Sequence, residues 1–260
     1  MNKVIRNTWI WLVLLFLYAP ILILAFYSFT SATMIGTVRE FSLANYETLF
    51  TTPELVSMIL GTLILALGVA LLSTILGTMG AIGSFYSNKK IRGAIELSNQ
   101  VPVVNADVVT GFSVCILMIA IFHIRKDTYI PLVIGQTALC VPFVYLSVIP
   151  RLKKMDHQLY EAALDLGCTP AKALWKVTIP QIVPGIASGF MTAVTLSLDD
   201  YFIATYTKPA TFDTISTYVV NATRGSQTAI KTALWALSTI IFIVVVVFVV
   251  GANKVGNKDE

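Results

Sequence analysis

MILGTLILALGVALLSTILGTMGAIGSFY, residues Met58–Tyr86, decides the class of this chain: it is apolar on every side and holds no charged side chain. At ~1.5 Å per residue, about 20 such residues cross the roughly 30 Å hydrocarbon layer of a bilayer. A helix at a protein–water surface would instead keep a polar face. Gly61, Gly68, Gly77, Gly80 and Gly83 recur along the stretch, with Ser73 and Ser84 between them. Small residues let helix backbones approach closely in lipid, where no hydrophobic drive brings helices together. The stretch therefore reads as one spanning helix of a packed bundle, with further helices expected from a partner.

Working outward, five more runs meet the length requirement: Trp9–Phe29, Val101–Ile124, Ile130–Ile149, Ile182–Tyr206 and Ala233–Gly251. The first is too long for a signal-peptide core and lacks a small-x-small cleavage site, so it reads as a retained anchor. Across all 260 residues, 56% are hydrophobic and 12% charged, where a soluble domain carries roughly a quarter charged. The expected fold class is an all-α integral membrane protein, a single transmembrane domain over residues 1–260 with six transmembrane helices and a helix-turn-helix loop at 150–180.

Six spans place both termini on one side. Lys3, Arg6, Lys89, Lys90 and Arg92 fall there, with Arg151, Lys153, Lys154, Lys172 and Lys176, then Lys254 and Lys258. The other side holds Arg39, Arg125, Lys126, Lys208, Arg224 and Lys231. Twelve against six puts both termini in the cytoplasm by the positive-inside rule. Because side matters more than sum, the net charge of +4 says nothing of nucleic acid, and no such partner is expected. Cys115, Cys140 and Cys168 are odd in number and lack metal-ligand spacing, so they read as small core residues, with no metal site.

The loop from Pro150 to Pro180 reads as two short helices. Asp156 can cap the first, whose apolar positions Leu159, Ala162, Ala163 and Leu166 have helical spacing. Gly167 suits the left-handed residue that ends a helix. Thr169 caps the second and Pro170 sits in its first turn, where a missing N–H is harmless. Ala171–Lys176 continue it, and Pro180 is expected to end it. On local physics alone, such a loop could dock into a groove, lie on the membrane surface or simply link two spans.

The residues themselves carry a resemblance. Glu161-Ala162-Ala163, three residues, Gly167, nine residues and then Val177-Thr178-Ile179-Pro180 closely resembles the "EAA" loop of ABC importer permeases. The pattern of that family is E-A-A, three residues, G, nine residues, I-x-L-P, so Val177 and Ile179 are mild departures. The resemblance implies the type I ABC importer permease fold, with a coupling helix seated in a cleft of a separate ATP-hydrolysing subunit. Glu161, Ala162, Ala163, Leu166, Gly167 and Pro180 are the coupling residues it implies. ATP and magnesium would be bound by an ATPase dimer. This chain has no G-x-x-x-x-G-K-S/T, carries no catalytic residue and is not expected to be an enzyme. The other implied partners are a second homologous permease, an extracytoplasmic substrate-binding protein and membrane lipid, in a bacterial inner membrane.

Charge inside a span costs about 2.5–3.5 kcal/mol per Asp at a helix centre, so Asp199 and Asp200 stand out. They lie about 20–25 Å along the fifth run from Pro184. Ser188, Thr192, Thr195 and Asp199 recur at steps of four, three and four, one polar stripe ending in a carboxylate. That is how a cation pathway would look; the alternative is a solvated or capping pair at a helix end. Consecutive residues point about 100° apart, so the two aspartates cannot face the same way. Asp107 is a further candidate, and Tyr201, Phe202 and Tyr206 could add cation–π contacts or form an interfacial belt.

Leu196–Ile203 (LSLDDYFI), Leu139–Val144 (LCVPFV) and Ala106–Val109 (ADVV) resemble the spermidine/putrescine importer permeases, and length and span count fit their second, C-type subunit. Where that family has Gly-Pro after the aspartates, this chain has Lys208-Pro209. The resemblance implies a polyamine importer subunit. Its rivals are an importer permease for another small solute, a stand-alone carrier or channel using the aspartates as a relay, and a membrane scaffold.

Overall fold

The computed structural model describes residues 3–31, 40–125, 127–224, 232–244 and 246. Every element among them is helical, apart from an isolated antiparallel bridge between Thr30 and Phe41. Arg39, Lys126, Lys231, Lys254, Lys258 and the end of the sixth predicted run lie outside the described residues. The chain divides into two compact units, one of residues 1–57 with 218–260 and the other Met58–Thr217.

The first unit holds α1 (Lys3–Ser28), α2 (Ala44–Thr51), most of α11 (Ile215–Arg224) and α12 (Thr232–Val244). α1 is an apolar helix with Trp9, Trp11, Leu15 and Phe16 all exposed, as suits a helix solvated by lipid or by another chain. It meets α12 through aromatic rings, Tyr27 against Trp235 at 5.8 Å and Tyr18 against Phe242 at 6.4 Å. The chain turns from α1 to α2 around the buried Asn45, whose amide donates to the carbonyls of Ser28 (3.1 Å) and Thr30 (3.0 Å).

The second unit is built around α6 (Ile130–Lys154), the most enclosed of the long apolar helices. α3 (Pro53–Tyr86) and α9 (Ile179–Asp199) pack on it through Val69, Ala70, Cys140, Val144, Val148, Leu152, Ile182 and Ala193. Glycines set the spacing. A methyl group on Gly77 would come within 2.7 Å of the Val144 side chain and 2.9 Å of the Val141 carbonyl, and one on Gly189 within 3.1 Å of Val144. Val144 is thus clasped between α3 and α9. Gly68 and Gly83, on the same helix as Gly77, meet nothing within 4 Å and take no part in this packing.

Three expectations need correction. The run Val101–Ile124 is not one straight span. Val101–Val104 close α4 (Lys89–Val104), and α5 (Asp107–Ile116, prolonged by a π-helical turn to Ile121) leaves at 108° to it. Asn105 and Ala106 are extended there, which ends one hydrogen-bond ladder and starts another. The run Ile182–Tyr206 is likewise broken, at Asp200, before α10 (Phe202–Thr207). Pro180, by contrast, breaks nothing. α8 (Pro170–Ala173), a π-helical turn (Leu174–Thr178) and α9 form one helix from Pro170 to Asp199, with the wider turn falling just before the proline. By length and composition four helices can cross a membrane, or five with the bent α4–α5 pair; α12 as described is shorter, so the described residues do not complete a count of six.

The packing gives a direct test. Gly77→Ala should destabilise the protein by about 1–3 kcal/mol, because neither a neighbouring backbone carbonyl nor a clasped Val144 can move aside. Gly68→Ala should be neutral or slightly stabilising. Thermal denaturation of the two variants side by side in detergent checks this, and equal melting temperatures would refute the clasp.

Candidate functional site

Two regions hold the residues singled out above. In the first, α7 (His157–Asp165) starts where the Asp156 carboxylate accepts the Gln158 N–H at 2.9 Å. It ends at Gly167, whose φ of +84° is the left-handed geometry a side chain would resist. The Gly167 N–H reaches the Leu164 carbonyl (2.9 Å) and the Cys168 N–H that of Ala163 (3.0 Å), the paired bonds of a Schellman stop. Thr169 then caps the next helix, accepting from the Lys172 N–H at 3.4 Å. Each of these local roles follows the sequence reading.

This helix-turn-helix has two faces. Inward, the Tyr160 ring lies 5.2 Å from that of Tyr86, whose hydroxyl is 3.4 Å from the hydroxyl of the buried Thr178. Outward, Leu159, Ala162 and Leu166 form an apolar stripe, with Leu166 87% exposed, and Glu161 beside them. Ala163 is half-buried, and Gly167 and Pro180 are exposed. Trp175, 71% exposed, extends the apolar surface and was not foreseen from the sequence. A Leu held in the open at the tip of a well-capped turn is a shape that gains free energy only when something covers it.

In the second region, α9 carries two ridges. Gly185, Gly189, Ala193 and Ser197 are buried at steps of four. Ser188, Thr195 and Asp199 are exposed and Thr192 half-exposed on the other side, so the predicted polar stripe faces away from this chain's own core. The Thr192 and Thr195 hydroxyls donate back to the Ser188 and Met191 carbonyls, both at 3.0 Å, and remain available as acceptors.

The neighbouring aspartates part company. Asp199 is exposed and has no hydrogen bond or ion pair among the described residues. Asp200 is buried and accepts three N–H groups: Ile203 at 3.0 Å, Ala204 at 2.9 Å and the Gln136 amide at 3.0 Å. The Gln136 carbonyl oxygen in turn accepts the Ser197 hydroxyl at 2.8 Å. Asp200 therefore caps α10 and ties it to α6, its two oxygens met by N–H donors and, among the described residues, by no cation. Asp107 stands exposed in the first turn of α5, within electrostatic reach of Asp200. Tyr201 is half-buried, edge-on to Phe202 at 5.3 Å.

Several residues here escaped the sequence reading. Ile203 fits between glycines: methyl groups on Gly111 and Gly135 would come within 2.9 and 2.7 Å of it. Gln136, wholly buried in an apolar run, was the available signal, since a polar side chain there must find a partner. Lys208, the departure from Gly-Pro, pairs with Asp213 at 2.9 Å and donates to the Phe212 carbonyl at 2.9 Å, closing the turn after α10.

Comparison with known proteins gives this geometry a family. Residues 1–258 match the family described as the binding-protein-dependent transport system inner membrane component. The putrescine transport system permease protein PotI of Escherichia coli is 31% identical over 92% of this chain and 87% of its own length. The spermidine/putrescine transport system permease protein PotC of Haemophilus influenzae is 25% identical over 98% of each chain. Among solved structures, a bacterial ABC transporter that imports the acidic polysaccharide alginate superposes with a TM-score of 0.72 over 98% of this chain and 94% of that one. At 21% identity that likeness speaks for the fold alone. The chain is a multi-pass inner-membrane protein and belongs to the binding-protein-dependent transport system permeases.

Proposed function

We propose that this chain is one of two permeases of an ATP-driven importer for polyamine cations. Asp199 serves as a pathway carboxylate, and the Leu159–Leu166 stripe is the seat of a separate ATPase. The observation that carries the substrate reading is the split between the aspartates: one is consumed by the protein's own N–H groups, and the other stands free at the end of a polar stripe. A flexible di- or polyammonium ion needs carboxylates and hydroxyl acceptors spaced along its path. Asp199, Thr195, Thr192 and Ser188 supply them, with Tyr201 nearby and Asp107 at the α4–α5 bend. The names of the relatives agree with this substrate class.

The unpacked face of α9, and the glycines of α3 that meet nothing, suit a second, homologous permease completing the pathway. An extracytoplasmic binding protein would deliver the solute, the termini would lie in the cytoplasm, and ATP with magnesium would belong to the ATPase dimer. Residues 1–260 would then act as one permease domain, with 150–180 as its coupling loop.

Two outcomes test the reading. In proteoliposomes holding the assembled transporter, Asp199→Asn should lower labelled putrescine or spermidine uptake roughly tenfold or more, the scale of a lost bond to a charged group. ATP hydrolysis should persist. Undiminished uptake would remove Asp199 from the pathway, and no polyamine uptake by an active native complex would remove the substrate class. Separately, Leu166→Asp should weaken co-purification with the ATPase by about tenfold or more, since covering a Leu contributes about 1.5–3 kcal/mol. Retention at the native level would show that the stripe docks elsewhere or not at all.

A further inference from the structure

The buried chain Ser197–Gln136–Asp200 has a property that neither capping nor core packing requires. The Asp200 oxygens also accept the Ile203 and Ala204 N–H groups, and Gln136 turns its NH₂ toward them and its carbonyl oxygen toward the Ser197 hydroxyl. Both ends of the amide are then fixed, at 3.0 and 2.8 Å, on residues that flank Asp199 in sequence. Ser197 lies two residues before Asp199 on α9, and Asp200 one residue after it, at the break. A third tie acts on the same turn: Ser216 donates to the Leu198 carbonyl at 2.8 Å. Gln136 is fully buried, Ser197 and Asp200 nearly so, and Ile203 is locked between Gly111 and Gly135 on the far side of the break. The last turn of α9 is therefore clamped from before and after the exposed Asp199 carboxylate.

We propose that Gln136 is a positioning residue for the pathway: through Ser197 and Asp200 it fixes the end of α9 so that Asp199 projects into the water-filled route. Its role in transport rests on the function proposed above, but the geometric claim does not depend on which solute is carried. Asp200, on this view, is part of the clamp and not a substrate ligand. The arrangement predicts an unusual rescue. Gln136→Glu alone sets two carboxylates face to face, and Asp200→Asn alone sets an NH₂ against N–H donors. Together they restore the tie between positions 136 and 200 in reversed sense: the new amide at position 200 donates to the new carboxylate at position 136, while the Ala204 N–H, which shares that Asp200 oxygen with Gln136, loses its acceptor. Ser197 still donates to that carboxylate. The charge then sits deep in the core, where no pathway solute reaches it.

The test reads orientation directly. Asp199→Cys is introduced into the complete transporter with Cys115, Cys140 and Cys168 replaced by alanine, and its reaction with a membrane-impermeant cationic methanethiosulfonate is timed. Gln136→Leu should slow labelling roughly tenfold, the scale of losing a hydrogen bond to a charged group. Ser197→Ala, which leaves Asp200 capping α10, should slow it about threefold, the scale of a neutral hydrogen bond, and covers the case in which the Leu variant fails to assemble. Gln136→Glu with Asp200→Asn should label at least about threefold faster than Asp200→Asn alone, which lacks the same Ala204 bond. Labelling unchanged in an assembled Gln136→Leu or Ser197→Ala protein would overturn the proposal. So would a double variant no better than Asp200→Asn alone. Because labelling needs no substrate, a failed polyamine reading leaves this result standing, and a failed clamp leaves that reading standing.

Discussion

A helix that breaks in apolar surroundings frees N–H and C=O groups that have no water to turn to, and each must find a partner inside the protein. The structure depends most on how this is solved at Asp200. One carboxylate takes the first N–H groups of α10 and the Gln136 amide, so the break, the cap and the tie to the central helix are a single interaction. With the carboxylate replaced by an apolar group, those N–H groups would be buried without acceptors, at about 1–3 kcal/mol each. An acidic residue within an apolar run is thus explained here by the architecture, while its neighbour Asp199 is exposed and has no hydrogen bond among the described residues.

The other break is managed differently. Between α4 and α5 the chain runs extended through Asn105 and Ala106, and the Asn105 amide donates to the Thr110 hydroxyl at 3.2 Å. α4 itself is more polar than a span should be. It begins with an Asn88 cap on exposed Lys89 and Lys90 and carries an Arg92–Glu96 pair at 3.0 Å. Such a helix satisfies its charges in water or among headgroups while its C-terminal end delivers Asp107 to the start of α5. The apolar neighbours Val101–Val104 belong to this oblique helix, although by hydropathy they look like the beginning of the next span.

What could be read from the sequence divides along physical lines. Local chemistry was legible. Asp156, Gly167 and Thr169 do in space what their types and spacing suggested, because caps and left-handed stops depend on a few adjacent residues. That the two aspartates could not face the same way followed from helical geometry; which of them is buried, and against what, did not. Helix breaks were not legible, because hydropathy measures the environment of a segment and is blind to its direction. Nor was the clamp, since Gln136 and Asp200 are 64 residues apart and meet only once α6 and α9 are packed. Pro180 misled for a related reason. A proline ends a helix only if its turn needs the missing N–H, and the π-helical turn at Leu174–Thr178 re-registers the ladder just before it.

That continuity has a mechanical consequence. Because Pro180 does not interrupt it, the helix from the Thr169 cap to Asp199 is one body of 30 residues, about 45 Å long. One end is joined through the Schellman stop at Gly167 to the exposed Leu159–Leu166 stripe; the other is clamped to α6 beside the free carboxylate. A hinge at Pro180 would absorb a displacement of the loop near its origin. A continuous helix carries it along its length to the turn that holds Asp199. In the proposed importer, ATPase movement need not pass through a sequence of small side-chain adjustments. With its far end clamped to α6 and the small-residue ridge Gly185, Gly189 and Ala193 packed close against that helix, α9 would move with α6 as a unit and carry the pathway carboxylate with it. The close backbone approach along this ridge holds the pair together in lipid, where no hydrophobic drive between helices would.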